Sequence, residues 1–218
     1  MIVAIRTDDW ACSPSQGTIP PEIWSALTRL GPKDLLGAHA PRPAGRPVGR
    51  LLHQAEEPMY DTRNDLPADT RTRVIELLNA RLADAIDLGT QAKHAHWNVK
   101  GPSFIALHEL FDKVAEGTED HIDTLAERIT ALGGTAQGTI GAVAKATSLK
   151  PYPTGIAEGL QHVDALSAAL ADFGAKVRAG IDHATRLGDA DTADVFTEIS
   201  RETDKNLWFL EAHLAAPR

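Results

Sequence analysis

After residue 68, apolar positions recur at three- and four-residue steps, a spacing that predicts long amphipathic helices. The first predicted helix covers about 69–98, with Asp69 as its N-cap. Its apolar stripe runs through Val74, Leu78, Leu82, Ala85, Gly89 and Ala92. The second covers about 102–132 and ends at the pair Gly133 and Gly134. Because the link around Lys100-Gly101 is short, we expect these two helices to be antiparallel neighbours.

Two more helical patterns follow, at about 155–186 and 190–214. The connection over 135–154 is longer, and the stretch TIGAVAKA within it predicts a short helix. No alternating apolar and polar pattern of the kind that marks strands competes with this interpretation. The predicted fold is therefore all-α, a four-helix bundle with one long crossover that carries a short helix.

The first 58 residues have a different composition, with eight of the 13 prolines and equal numbers of acidic and basic residues. We therefore predict an N-terminal extension over 1–58, mobile in its Pro/Gly-rich part, and the bundle over 59–218. One short helix is predicted at about 19–31, between Pro20-Pro21 and Gly31. Arg42, Arg46 and Arg50 follow it with no acid between them. They fit either a solubilising linker or weak contacts with DNA phosphates.

Net charge and cysteine content limit the classes of function and the cellular compartment that fit this chain. The net charge of −8 on 218 residues belongs to the predicted bundle, which favours attraction of cations over a uniformly basic surface for nucleic acid. The single cysteine, Cys12, excludes an intramolecular disulfide and fits the reducing cytoplasm. We also expect no membrane span and no export signal, since no stretch approaches about 20 apolar residues and Asp8 and Asp9 interrupt the start.

Ligand-type residues lie on the second predicted helix, on a stripe beside its apolar face. His108 with Asp112, and Asp123 with Glu127, are i, i+4 pairs, a spacing at which one cation reaches both side chains. The centres of the pairs are about 22 Å apart along a helix, too far to share an ion within one chain. If two copies of this helix meet antiparallel across a two-fold axis, each His/Asp pair faces an Asp/Glu pair.

A fifth residue, His96, ends the first helix and lies across the short link from His108. Two imidazoles and three carboxylates make a mixed nitrogen and oxygen ligand set, which suits redox-active iron better than a closed structural zinc site. Any single pair of this kind is more often only a solvated or salt-bridged helix face.

At these residues the chain resembles a known family, the Dps miniferritins, or DNA-binding proteins from starved cells. The resemblance covers roughly 59–214 and is carried by HWNVKG, FIALHELFD and DHIDTLAER. It implies a hollow dodecamer, with a ferroxidase centre formed by His96, His108 and Asp112 of one chain and Asp123 and Glu127 of its two-fold mate. It further implies that Fe(II) is oxidised, by hydrogen peroxide in preference to O2, and stored as ferric mineral, which protects DNA. The larger ferritins are less similar, because the chain has no Glu-x-x-His motif.

Several further residues have two interpretations each. We expect Trp97 to anchor the end of the first helix, and the resemblance implies a tryptophan beside the iron that absorbs stray oxidising equivalents. Trp208 is expected in core or interface packing. Asp191, Asp194 and Glu198 form an acidic stripe that is either a solvated face or, in three copies around an axis, a pore for Fe(II).

The hypothesis that best fits these observations is a ferroxidase and iron store in the cytoplasm. The alternative is a non-catalytic, nucleoid-associated protein that compacts DNA through its N-terminal tails, in a sequence-independent manner. A third is a plain helical oligomer whose site holds zinc or nothing.

Overall fold

The computed structural model describes residues 59–215, which form five helices. They are α1 (Ala68–Asn98), α2 (Phe104–Ala131), α3 (Ile140–Ala146), α4 (Gly159–Leu187) and α5 (Ala190–Leu214). The prediction of a four-helix bundle with a short helix in the crossover is confirmed. The predicted helix at 19–31, Cys12 and the three arginines Arg42, Arg46 and Arg50 lie outside the described residues.

The four long helices pack into a bundle in which α1 lies against α2 and α4, and α5 lies against α4 and α2. The centre is aliphatic apart from three phenylalanines, Phe111, Phe173 and Phe196, all fully buried. Each such side chain contributes roughly 1.5–3 kcal/mol by leaving water. The aromatic content of only 5% predicts such a largely aliphatic interior. No helix between residues 59 and 215 is long and apolar enough to cross a bilayer.

The end of α2 follows the predicted stop signal, and the start of α1 requires one correction. Gly133 and Gly188 follow α2 and α4 with φ of 86° and 79°, left-handed conformations that favour glycine. Pro67, not Asp69, occupies the N-cap position of α1. Asp69 lies inside the first turn instead, where its charge is favourable beside the positive end of the helix dipole. Proline fits here because its fixed φ and missing N–H suit a helix start.

A buried carboxylate holds the crossover against α1. Asp84 is fully buried and accepts hydrogen bonds from the Ser148 backbone N–H at 2.7 Å and from the Ser148 hydroxyl at 3.0 Å. Arg81, one turn earlier, supplies the balancing charge at 2.7 Å. These hydrogen bonds hold the crossover against α1 at Ser148, before α4 begins at Gly159.

Candidate metal centre

The end of α1 and the start of α2 bring two histidines together. His96 and His108 stack with their ring centroids 3.7 Å apart. The Nδ1 of each ring lies 2.8 Å from the backbone carbonyl oxygen of the other residue. The connecting residues 99–103 make this close return possible through Gly101, whose φ of 115° disfavours any residue with a side chain.

This reciprocal arrangement determines which nitrogen of each ring can bind a metal. A carbonyl oxygen only accepts hydrogen bonds, so each Nδ1 carries a proton and donates it. The neutral ring then keeps the lone pair of Nε2, and no described residue donates a hydrogen bond to either Nε2. Metal-binding histidines in proteins are commonly oriented in this way by their second nitrogen. In the neutral form of each ring, Nε2 is therefore the nitrogen that can bind a metal ion.

Asp112 lies one helical turn after His108 and completes the cluster. Its Oδ1 is 3.7 Å from Nδ1 of His96, and the ammonium of Lys93 donates a hydrogen bond to the same oxygen. That hydrogen bond lowers the pKa of Asp112 despite some desolvation, and the charge of Lys93, and of either imidazole when protonated, lowers it further. The carboxylate is thus kept ionised, the form in which it binds a cation.

Lys93 is a residue that the sequence interpretation missed. It lies three positions before His96 on α1 and so on the same helix face, a spacing that was available as a signal. Its ammonium hydrogen-bonds Oδ1 of Asp112 and so competes with a metal ion for this carboxylate. A cation that binds through Oδ1 displaces the lysine, and one that binds through Oδ2 is repelled by its charge.

Removal of this competitor should strengthen the site. We expect Lys93→Gln to lower the KM for Fe(II) about two- to fivefold, the range of a partly exposed ion pair, with kcat little changed. Initial rates of Fe(II) oxidation at fixed peroxide, measured over a range of Fe(II) concentrations, check this. Lys113→Gln on α2, whose charge is not paired with Asp112, is the matched control. A KM that rises in Lys93→Gln would mean that the lysine assists binding.

The other two predicted ligands lie elsewhere in the same chain. Asp123 and Glu127 are exposed, 11 and 15 residues beyond Asp112 on the continuous helix α2. At 1.5 Å per residue these positions are about 16 and 22 Å along the axis from Asp112. Within residues 59–215, no three His, Cys, Asp or Glu side chains lie close enough together to hold one metal ion. One chain therefore carries two separate halves of the predicted site.

The remaining predicted residues are mostly on the surface. Asp191, Asp194 and Glu198 are exposed on the first turns of α5, with the Asp191 side chain 83% exposed and 3.7 Å from Arg128. Trp97 is 70% exposed, so the expectation that it anchors the end of α1 is wrong within this chain: its ring follows His96 and points away from the bundle core. Trp208 is 64% exposed, which excludes the core for it and leaves interface packing as a prediction.

The chain is similar in sequence to one family of known proteins. The model of the ferritin-like domain family matches residues 75–218. The DNA protection during starvation protein of Agrobacterium fabrum is 48% identical over 155 residues, which make up 71% of this chain and 96% of that protein.

Solved structures agree. DpsA14 from Streptomyces coelicolor superposes with a TM-score of 0.69 at 36% identity, covering 73% of this chain and 94% of its own. A Dps structure from Mycobacterium smegmatis has a TM-score of 0.68 at 32% identity, covering 72% and 95%. With the family model, the relative and the folds in agreement, the chain belongs to the Dps family of ferritin-like proteins.

Proposed function

We propose that this protein oxidises Fe(II) at sites shared between two chains and stores the ferric product inside a hollow dodecamer. The observation that carries the proposal is the pair of stacked imidazoles next to the ionised Asp112. In each ring Nδ1 is bound to a carbonyl, and Nε2 has no hydrogen-bond partner between residues 59 and 215. His96, His108 and Asp112 of one chain hold Fe(II), and Asp123 and Glu127 of a second copy complete the ligand set.

The proposed reaction balances with hydrogen peroxide as oxidant. Two Fe(II) ions each lose one electron, and one H2O2 takes up two electrons and two protons to give two molecules of water. The protein holds the ions by neutral imidazoles and carboxylates, a mixed ligand set suited to iron. Peroxide is then consumed without release of hydroxyl radical, which is the proposed basis of DNA protection in the reducing cytoplasm. O2 is the slower oxidant in this proposal.

The acidic stripe on α5 supplies an entry route in the same proposal. Asp191, Asp194 and Glu198 are exposed on the first turns of this helix. Three copies around a three-fold axis would surround a pore with carboxylates, which attracts Fe(II) by the same physics as the acidic rings of cation channels. Asp194, the central residue of the stripe, carries most of this role. Trp97, beside His96 and accessible, is the proposed sink for stray oxidising equivalents.

Anaerobic titration with Fe(II), followed by peroxide, tests the proposed function. We expect binding before oxidation, then one H2O2 consumed for every two Fe(II), and a particle mass of twelve chains. A colourless protein that binds zinc but oxidises no Fe(II) above the rate in buffer would contradict the proposal and support the plain helical oligomer instead.

A second function, direct DNA binding, is favoured by the three arginines of the N-terminal segment. Three arginines contribute little on one chain, but about 36 on twelve tails would bind phosphates with avidity. We expect deletion of residues 1–58 to weaken DNA binding at least tenfold at low salt while Fe(II) oxidation is retained. Mobility shifts at two salt concentrations measure this, and equal affinity after the deletion would reject the tails as the DNA-binding element.

A further inference from the structure

A second histidine environment lies on the opposite side of α2, where this helix meets α5. His121 is only 6% exposed, and its Nε2 has no hydrogen-bond partner among the described residues. The nearest charged atom is Oε2 of Glu202 on α5, at 3.7 Å, too far for a hydrogen bond. A buried imidazole nitrogen without a partner costs free energy, so its retention calls for an explanation.

A glycine on α2 leaves space for the carboxylate of Glu202. Gly117 lies one turn before His121, and a Cβ placed there would come within 2.8 Å of Oε1 of Glu202. Any larger residue at 117 would push the carboxylate out of its position. Glycine in the interior of a helix costs stability relative to alanine, and here it allows the Glu202 carboxylate to lie against α2 one turn before His121.

The charges around this imidazole are negative. The carboxylates of Glu202, Asp120 and Glu198 all lie near enough to act on His121 electrostatically. Among the described residues, no lysine or arginine forms an ion pair with Glu202. The Glu202 side chain is 45% exposed, so an ion from solvent can reach it. Burial of the nitrogen, access from solvent and unbalanced negative charge together favour a cation.

We propose that His121 and Glu202 form a separate site for a divalent transition metal in the groove between α2 and α5. Two ligands about 2.1 Å from one metal lie about 3.0–3.4 Å apart, so a small rotation of the half-exposed Glu202 closes the observed gap. Water molecules fill the remaining positions. The imidazole and carboxylate set suits Fe(II) and Zn²⁺.

This site is distinct from the candidate centre at His96 and His108. His121 and Asp123 are about 200° apart around α2, so they face opposite sides of the helix. The inference rests on the proposed function only for the identity of the natural metal, Fe(II). Its test uses Zn²⁺ alone and requires no oxidation, so failure of the ferroxidase proposal and failure of this site are distinguishable.

Zinc titration calorimetry on the full-length, metal-free protein provides the first test. We expect Glu202→Gln and His121→Gln each to lose about one zinc per chain, or at least tenfold in its affinity, while Asp112→Asn loses a different zinc. The losses in Asp112→Asn and Glu202→Gln should add in the double variant. His213→Gln, an exposed histidine on α5, is the matched control. Zinc binding by Glu202→Gln equal to that of the original chain would overturn the proposal.

Crystals of the zinc-loaded protein locate the ion. Anomalous diffraction at the zinc edge should give a peak about 2.0–2.1 Å from Nε2 of His121, which Glu202→Gln weakens or abolishes. Because Glu202 is half-exposed, this variant is expected to fold even if replacement of the buried His121 is not tolerated. Anomalous peaks confined to other positions would overturn the proposal.

Discussion

Asp123→Asn should slow peroxide-driven Fe(II) oxidation at least tenfold, although Asp123 has no contact with His96, His108 or Asp112 in its own chain. Loss even of groups that only support a metal ligand commonly costs 10–100-fold, and a ligand should cost at least as much. Asparagine keeps the size of the side chain and removes the charge. Stopped-flow absorbance of ferric product, with Fe(II) and peroxide fixed, measures the effect.

The control for this variant is Asp164→Asn, an exposed aspartate on α4 that lies in neither half of the proposed site. It should leave the rate within twofold of the original chain. Particle mass should be unchanged in both variants, since Asp123 is exposed and supports no packing within the chain. Unchanged oxidation kinetics in Asp123→Asn would remove this residue from the ligand set.

Asp84→Ala should be the most destabilising of the substitutions considered, at about 3–5 kcal/mol, because it leaves buried partners without their anion. Arg81 loses its balancing charge, and the Ser148 N–H loses its acceptor. For a domain of this size we expect the melting temperature to fall by roughly 10 °C or more. Circular dichroism at 222 nm during a thermal ramp measures the change.

Asp87→Asn is the comparison for this prediction. Asp87 is only half-buried and accepts hydrogen bonds from the Thr147 hydroxyl, at 2.7 Å, and from the Gln91 side-chain amide, at 3.2 Å. Because asparagine keeps one acceptor oxygen, the replacement should cost only about 1 kcal/mol. Equal melting temperatures for the two variants would show that the crossover does not depend on the buried carboxylate.

The helices could be predicted from sequence because their signals are local. Predicted and observed ends of the fourth long helix agree at 190 and 214, and Gly133 and Gly188 follow α2 and α4 in the left-handed conformation. Asp69 shows that such signals do not fix the exact end of a helix, since Pro67, two residues earlier, is the N-cap although aspartate is a favoured capping residue. For a long, strongly periodic segment, such an error shifts the predicted end by a few residues and leaves the prediction of a helix correct.

Contacts between helices were harder to predict from the sequence. The short link between the helices predicts that His96 lies near His108. It does not predict the reciprocal hydrogen bonds that leave Nε2 as the metal-binding nitrogen, since those depend on the positions of backbone carbonyls. Trp97 was expected to pack against its own chain, but it is exposed. Large apolar residues also lie at interfaces between chains, and the sequence does not distinguish those residues from core residues. The position of Asp123 and Glu127 far from the histidines was predictable from helix rise alone.

Co-assembly of two inactive variants tests the shared site most directly. One chain carries His108→Ala with Asp112→Ala, the other Asp123→Ala with Glu127→Ala, and each alone should form inactive particles. Mixed in equal amounts, half of the two-fold pairs contain one chain of each kind, and each such pair regains one complete site of its two. The account predicts recovery of about one quarter of the original oxidation rate per chain. Mixed particles that stay as inactive as their parents would contradict a centre built from two chains.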